Sequence, residues 1–289
     1  MVHHRNAIQP GLLRPTGKSR RIMKYDVYQV DAFTGNAFCG NPAAVCLPGD
    51  TVSEEWMQSV AREMNLSETA FLRKKDDGTW LLRWFTPTQE VDLCGHATVA
   101  AAQVLWNEKE VTDDELVFHT RSGQLSARMQ EGGIELNFPA EMASSADAPA
   151  NYQQVIGLPA VDVLANRFDL MVVLQAEDEV RELNPVLHEM KEWPFRGVIV
   201  TAQAEGGYGY DFVSRFFAPA VGVPEDPVTG SAHCALIPYW SDWSDKVGRD
   251  EVTGYQASER GGYVRGRHID DRVFLTGEAV TVCRGELLL

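Results

Sequence analysis

The chain has 289 residues, a formal net charge of −15, 44% hydrophobic and 23% charged residues, which is enough for two modest domains with a core each. So large an acid surplus excludes a nucleic-acid binder that works by neutralising phosphates, and it disfavours anionic membrane surfaces. No apolar run is long enough to span a membrane, and the opening residues lack the apolar centre of a secretory signal.

Residues 1–22 carry His3, His4, Arg5, Arg14, Lys18, Arg20 and Arg21 and no acid. They read as a disordered N-terminal extension, with a functional basic arm as the alternative. Residues 25–33 read as a strand ended by Thr34-Gly35-Asn36. Asn41-Pro42 reads as a turn before a short strand to Leu47. Thr51 and Glu54 fit a capping box opening a helix to Met64, with Trp56, Met57, Val60 and Met64 on one face. Strands at 69–73 and 79–85 flank an Asp76-Asp77-Gly78 hairpin turn. An apolar helix starts near Gly95, and strands follow at 117–118, 125–129 and 134–138, the last two joined by Glu131-Gly132-Gly133. Residues 139–150, rich in Ala, Ser and Pro, read as a linker. The second half repeats the order. It has a strand at 168–174, Asn184 as an N-cap with Pro185 at the first helical position, and a strand at 197–202. A turn at Glu205-Gly206-Gly207, a strand at 210–217 and an apolar helix from Gly230 follow. A closing hairpin is expected around Thr276-Gly277-Glu278.

The repeat is visible in the residues themselves. Arg83-Trp84-Phe85-Thr86-Pro87, with Val91 following, is echoed by Arg215-Phe216-Phe217-Ala218-Pro219, with Val223 following; Gly95-His96-Ala97 is echoed by Gly230-Ser231-Ala232. Each glycine triplet opens a run without charge. A helix apolar all round must be buried on all sides, and a curved sheet wrapped around it is the simplest way. The pattern predicts an α+β fold of two pseudo-symmetric β-barrel-like domains, each around a central apolar helix. The halves are 23–138 and 151–276, joined by 139–150, with 277–289 completing the first. Both helix N-termini then face the cleft between the halves, where an anionic small molecule would bind. Arg83 and Arg215 read as structural parts of the repeated strand.

What differs between the halves locates the chemistry. Glu68 lies where the first helix gives way to a strand, whereas the matching strand at 197–202 has no acid. A carboxylate drawn partly out of water beside an apolar strand suits proton transfer near neutral pH; a solvated glutamate at a helix end is the bland alternative. Gly95 lets the backbone approach a ligand, and the N–H groups beyond it can bind a carboxylate. His96 is a substrate donor or a capping histidine. Cys94 is a thiolate base at a helix N-terminus or a small buried apolar residue. Asp226, held before Pro227, binds a substrate amine or hydroxyl or merely forms the turn. Thr229, Gly230 and Ser231 offer further donors. A racemase with a thiol on each face would need a partner for Cys94, but the paired position is Thr229, and Cys234 lies a turn inside the second helix, away from the cleft. One carboxylate and no second thiol favour one-base isomerisation over inversion. The five cysteines, Cys39, Cys46, Cys94, Cys234 and Cys283, have no zinc or redox spacing, which points to a reduced, cytoplasmic protein. The histidines are scattered, so no metal site is expected. There is no dinucleotide fingerprint, P-loop or HExxH.

Taken together, several segments resemble the PhzF-like family, relatives of the phenazine-biosynthesis isomerase. They are Val30-Asp31-Ala32-Phe33-Thr34-Gly35-Asn36, Gly40-Asn41-Pro42-Ala43-Ala44-Val45, Ser67-Glu68-Thr69-Ala70-Phe71, Cys94-Gly95-His96-Ala97-Thr98 and Glu225-Asp226-Pro227-Val228-Thr229-Gly230-Ser231-Ala232-His233. Gln256, Ser258 and Arg260-Gly261-Gly262 fit the same pattern. The resemblance covers about residues 23–285 and implies the diaminopimelate-epimerase fold, no cofactor and a homodimer. It implies that Glu68 is the general acid/base and that Ser67, Gly95, His96, Asp226, Gly230 and Ser231 bind substrate. The characterised member moves a proton on a dihydro-hydroxyanthranilate. The expected function is thus a cofactor-independent isomerase of a small carboxylate-bearing molecule. The alternatives are an epimerase using Cys94 with Glu68, and a non-catalytic binding protein of the same fold.

Overall fold

The computed structural model describes residues 23–207, 209–243 and 251–289. The expectation for 1–22 lies outside the described residues. The first half runs through β1 (Lys24–Ala32), β2 (Asn41–Leu47), α1 (Glu54–Met64), β3 (Glu68–Lys74), β4 (Trp80–Phe85), β5 (Glu90–Val91), α2 (Gly95–Gln103), β6 (Glu115–Thr120), β7 (Gly123–Gln130) and β8 (Gly133–Pro139). The second runs through β9 (Ser144–Ser145), α3 (Tyr152–Val155), β10 (Asp162–Ala165), β11 (Asp169–Val173), α4 (Glu177–Glu182), α5 (Leu187–Met190), β12 (Gly197–Gln203) and β13 (Phe212–Phe217). It ends with α6 (Gly230–Trp243), β14 (Val252–Gln256), β15 (Gly262–Ile269), β16 (Arg272–Gly277) and β17 (Ala279–Leu288).

The repeat in sequence is a repeat in topology. β1–β2 pair antiparallel, β2–β3 parallel, β3–β4 antiparallel, β4–β6 parallel, and β6–β7 and β7–β8 antiparallel. The strands β10, β11, β12, β13, β14, β15 and β16 repeat that order of senses step by step. The last strand of each half joins the other, β8 against β16. The chain then crosses over both times: β9, after β8, pairs with β10, and β17, after β16, pairs with β1.

Each barrel closes on its own helix. In α2 every residue from His96 to Gln103 is buried, and the helix packs against β1, β2, β3, β7, β8 and β17. α6 packs against β14, β15, β16 and α2. The amphipathic helices lie outside: α1 covers Phe71 and Phe85, and Val180 of α4 and Met190 of α5 cover Val172, Val200 and Phe217. Pro238 inside α6 has no N–H for the carbonyl of Cys234. The N–H of Glu141 takes that place, 3.0 Å from the Cys234 oxygen, and so ties the crossover after β8 to the second helix.

Several local expectations are corrected. The α1 N-cap is Ser53, whose hydroxyl accepts from the Trp56 N–H, rather than Thr51. Asn41 and Pro42 belong to β2, where Pro42 opposes Asp31, and are not a turn. Asn184-Pro185 opens no helix, because α5 starts at Leu187; the helical turn of that region is α4, whose Glu177, Asp178 and Glu179 suit the positive end of a helix. No closing hairpin forms around Thr276-Gly277-Glu278: β16 pairs with β8 and β15, and β17 with β1. The stretch 139–150 is not only a linker, since it contains β9.

Candidate active site

α2 and α6 begin side by side at the floor of a cavity of about 370 Å³ between the halves. Glu68, Cys94, Gly95, His96, Asp226, Gly230 and Ser231 all line it. Ser67 is half-buried and does not line it. Glu68 opens β3, and its position is fixed by pairing with Ala43 of β2. His96, in the first turn of α2, places Nε2 2.9 Å from Glu68 Oε2. Burial pulls the His96 imidazolium down, but the Cys94 sulfur and the Glu68 carboxylate outweigh it and hold its pKa well above the ordinary histidine value. The Cys94 sulfur lies 3.6 Å from His96 Nδ1. Burial and the Glu68 charge raise its pKa, so Cys94 is a thiol at neutral pH.

Asp226 is held from two sides. Asn41, fully buried, donates to Oδ1 at 2.9 Å, and the Thr229 hydroxyl donates to Oδ2 at 2.5 Å. Gln256 completes the frame, accepting from the Thr229 N–H at 2.9 Å and donating to the Asp226 carbonyl at 2.8 Å. Burial pushes the Asp226 carboxyl above its usual range, with His96 opposing. Cys234 is a correction: it does line the cavity. Its thiol is nevertheless bonded to the Gly230 carbonyl of its own helix, 3.6 Å away, and burial pushes it up to about 12.

Three features were missed in the sequence. Arg196 lines the second half's side of the cavity and stands immediately before β12, the position that Ser67 occupies before β3. No local motif marks it: strand pairing sets the register that puts Asp169 opposite Gly197, where Ala43 opposes Glu68 in the first half. Glu141 and Arg167 form a second ion pair on the wall, 2.5 Å apart. The scattered histidines also hid a cluster. Glu68, Cys94 and His96 offer metal-ligand atoms within 4.8 Å of one another. The donor types suit zinc, whereas the two helix N-termini aimed at them favour an anion over a cation.

Arg83 and Arg215 are structural, each gripping a glutamate a few residues beyond its own strand: Glu90 at 2.6 Å and Glu225 at 2.7 Å. Among the described residues no helix is long and apolar enough to cross a membrane.

Comparison with known proteins agrees with this architecture. The family model for phenazine biosynthesis-like proteins matches residues 30–285. An uncharacterized isomerase of Halalkalibacterium halodurans is 48% identical over 270 residues, covering 93% of this chain and 100% of the relative. The crystal structure of a phenazine biosynthesis protein of the PhzF family from Enterococcus faecalis superposes with a TM-score of 0.87 at 40% identity, covering 92% of this chain and 100% of that one. A hydroxyproline epimerase from Agrobacterium vitis, with bound trans-4-hydroxy-L-proline, shares the fold at a TM-score of 0.61 and 11% identity, over 94% and 93% of the two chains.

Proposed function

The chain belongs to the phenazine biosynthesis-like (PhzC-PhzF) family, and we propose that it is a cofactor-independent isomerase that moves a proton within a small carboxylate-bearing substrate. The observation that carries this reading is the Glu68–His96 contact of 2.9 Å at the paired helix N-termini. Glu68 takes a proton from an acidic C–H and becomes a carboxylic acid. The electron pair left on carbon spreads into the adjoining unsaturated system, and the same proton is returned at another carbon. No bond to the protein forms, and no electrons leave the substrate. The charged His96 steadies the Glu68 carboxylate between turnovers, and the N–H groups opening α2 and α6 stabilise the negative charge that develops on the substrate. Asp226, fixed by Asn41 and Thr229, receives the amine or hydroxyl of the substrate. Closure of the two halves excludes water from the cavity.

Inversion by two bases fits less well. It needs a second base facing Glu68, and both cavity thiols, Cys94 and Cys234, are held protonated by burial. We take the working form to be a homodimer in a reducing, cytoplasmic setting, as the family resemblance and the cysteine pattern imply. The test of the activity is solvent exchange in heavy water, followed by proton NMR on a dihydro-hydroxyanthranilate and a panel of cyclic and amino-acid carboxylates. Wild type exchanges a carbon-bound proton, and Glu68→Gln slows that by about 10²–10⁴-fold. Undiminished exchange by Glu68→Gln would remove Glu68 from the mechanism.

A further inference from the structure

The cavity is symmetric in backbone and asymmetric in charge. On the first half's side the residues at the helix start and strand start are His96 and Glu68; the matching positions on the second half's side hold Ser231 and Gly197. Gly197 offers no side chain because the Phe216 ring fills that place: a β-carbon on it would lie 2.3 Å from the ring. The residue before it, Arg196, brings a cation to the wall. Its Nε and Nη2 grip the two oxygens of the buried Asp169 at 2.9 and 2.5 Å. Its guanidinium lies over the rings of Phe168 and Phe216, with centroids 5.2 and 5.6 Å away. Nη2 also donates to Ser231 Oγ at 3.1 Å.

Two consequences follow from donor chemistry. Arginine has no acceptor, so Ser231 accepts from it, and the serine hydroxyl proton is left to donate elsewhere. Arg196 Nη1 has no protein partner among the described residues. A rigid guanidinium nitrogen, an oriented hydroxyl and the N-terminus of α6 thus stand together on one wall, the set that recognises a carboxylate. We propose that Arg196 is the charged anchor for the substrate carboxylate, with Asp169 as its positioning residue. The reacting carbon is thereby turned toward Glu68 and His96. The assignment rests on the isomerase reading for the identity of the reacting group, but not for the anion preference itself. With Phe138, Phe168 and Phe216 on the walls, the favoured ligand is a compact ring bearing one carboxylate.

Anthranilate, which is fluorescent, and its neutral counterpart anthranilamide are suitable probes, titrated into the full chain at low ionic strength. Wild type is expected to bind the acid more tightly than the amide. Arg196→Gln should weaken anthranilate by about 10- to 100-fold, the range of one charge-assisted hydrogen bond, while leaving the amide unchanged. Because that variant strands the buried Asp169, the double variant Arg196→Gln/Asp169→Asn, which removes both charges together, should show the same loss. Wild type that binds neither probe or binds both equally, or folded variants that hold anthranilate as well as wild type, would overturn the proposal. The two readings separate on different readouts: the anthranilate affinity of Arg196→Gln tests the anchor, and the proton exchange of Glu68→Gln tests the isomerase reading.

Discussion

Gly95 and Gly230 meet at the base of the cavity: a β-carbon built on Gly95 lies 3.7 Å from the Gly230 Cα, and one on Gly230 lies 3.6 Å from the Gly95 Cα. Both separations are ordinary contact, so either single alanine fits the backbone. Two methyls would compete for one gap. Gly95→Ala and Gly230→Ala should each fold, whereas the double variant should lose at least about 1 kcal/mol beyond the sum of the singles. Urea titration of the four-member cycle checks this; additive changes would mean the helix starts are not in contact.

His233 provides a stability prediction in acid. It is fully buried, its Nδ1 lies 2.8 Å from the Thr229 carbonyl, and Nε2 has no partner. Burial lowers its pKa to about 4. A depressed value means the folded state resists a proton that the unfolded chain accepts. Stability is therefore intact above about pH 6.5 and is lost as pH falls toward 4, by about 3 kcal/mol from this group. His233→Leu should flatten that part of the stability profile, and an unchanged slope would count against a buried neutral imidazole.

Arg260 links the halves. Its guanidinium donates to the buried Asp31 at 2.8 Å and to the carbonyls of Cys39 and Gly40 at 2.9 and 2.8 Å. Arg260→Met leaves Asp31 buried without its cation and should cost about 2–4 kcal/mol, between an exposed and a fully buried pair. Adding Asp31→Asn should recover part of that loss. A single variant as stable as wild type would show that the clasp is dispensable.

Cys94 separates the mechanisms. Under one-base transfer its thiol is a neighbour of His96, so Cys94→Ser should keep turnover within about tenfold, whereas loss of an essential base would cost about 10²–10⁴-fold. Chelators should leave turnover unchanged, because no step of the proposed reaction passes through a metal ion. A collapse of activity in Cys94→Ser would revive the epimerase reading.

The sequence made the repeat, the two buried helices and the residues of the glycine turns readable, because each leaves a local mark: an uncharged run, a glycine before a helix, a proline after a strand. It concealed what depends on strand partners distant in the chain. β16 and β17 look like a hairpin, but β16 lies between β15 and β8 while β17 crosses over to β1. Arg196 carries no motif and gains meaning only because β11 and β12 place Asp169 beside it. The Glu68, Cys94 and His96 cluster joins the start of β3 to the start of α2, a proximity set by the barrel and not by spacing.

The most direct measurement is where the proton goes. A substrate that turns over in light water should be run to partial conversion in heavy water, with residual substrate and product separated and their deuterium located by NMR. One-base isomerisation predicts a double bond in a new position, with the carbon that receives the proton carrying at most one deuterium and some product retaining the original proton. Inversion at a single carbon, with one solvent deuterium in every product molecule, would contradict the account.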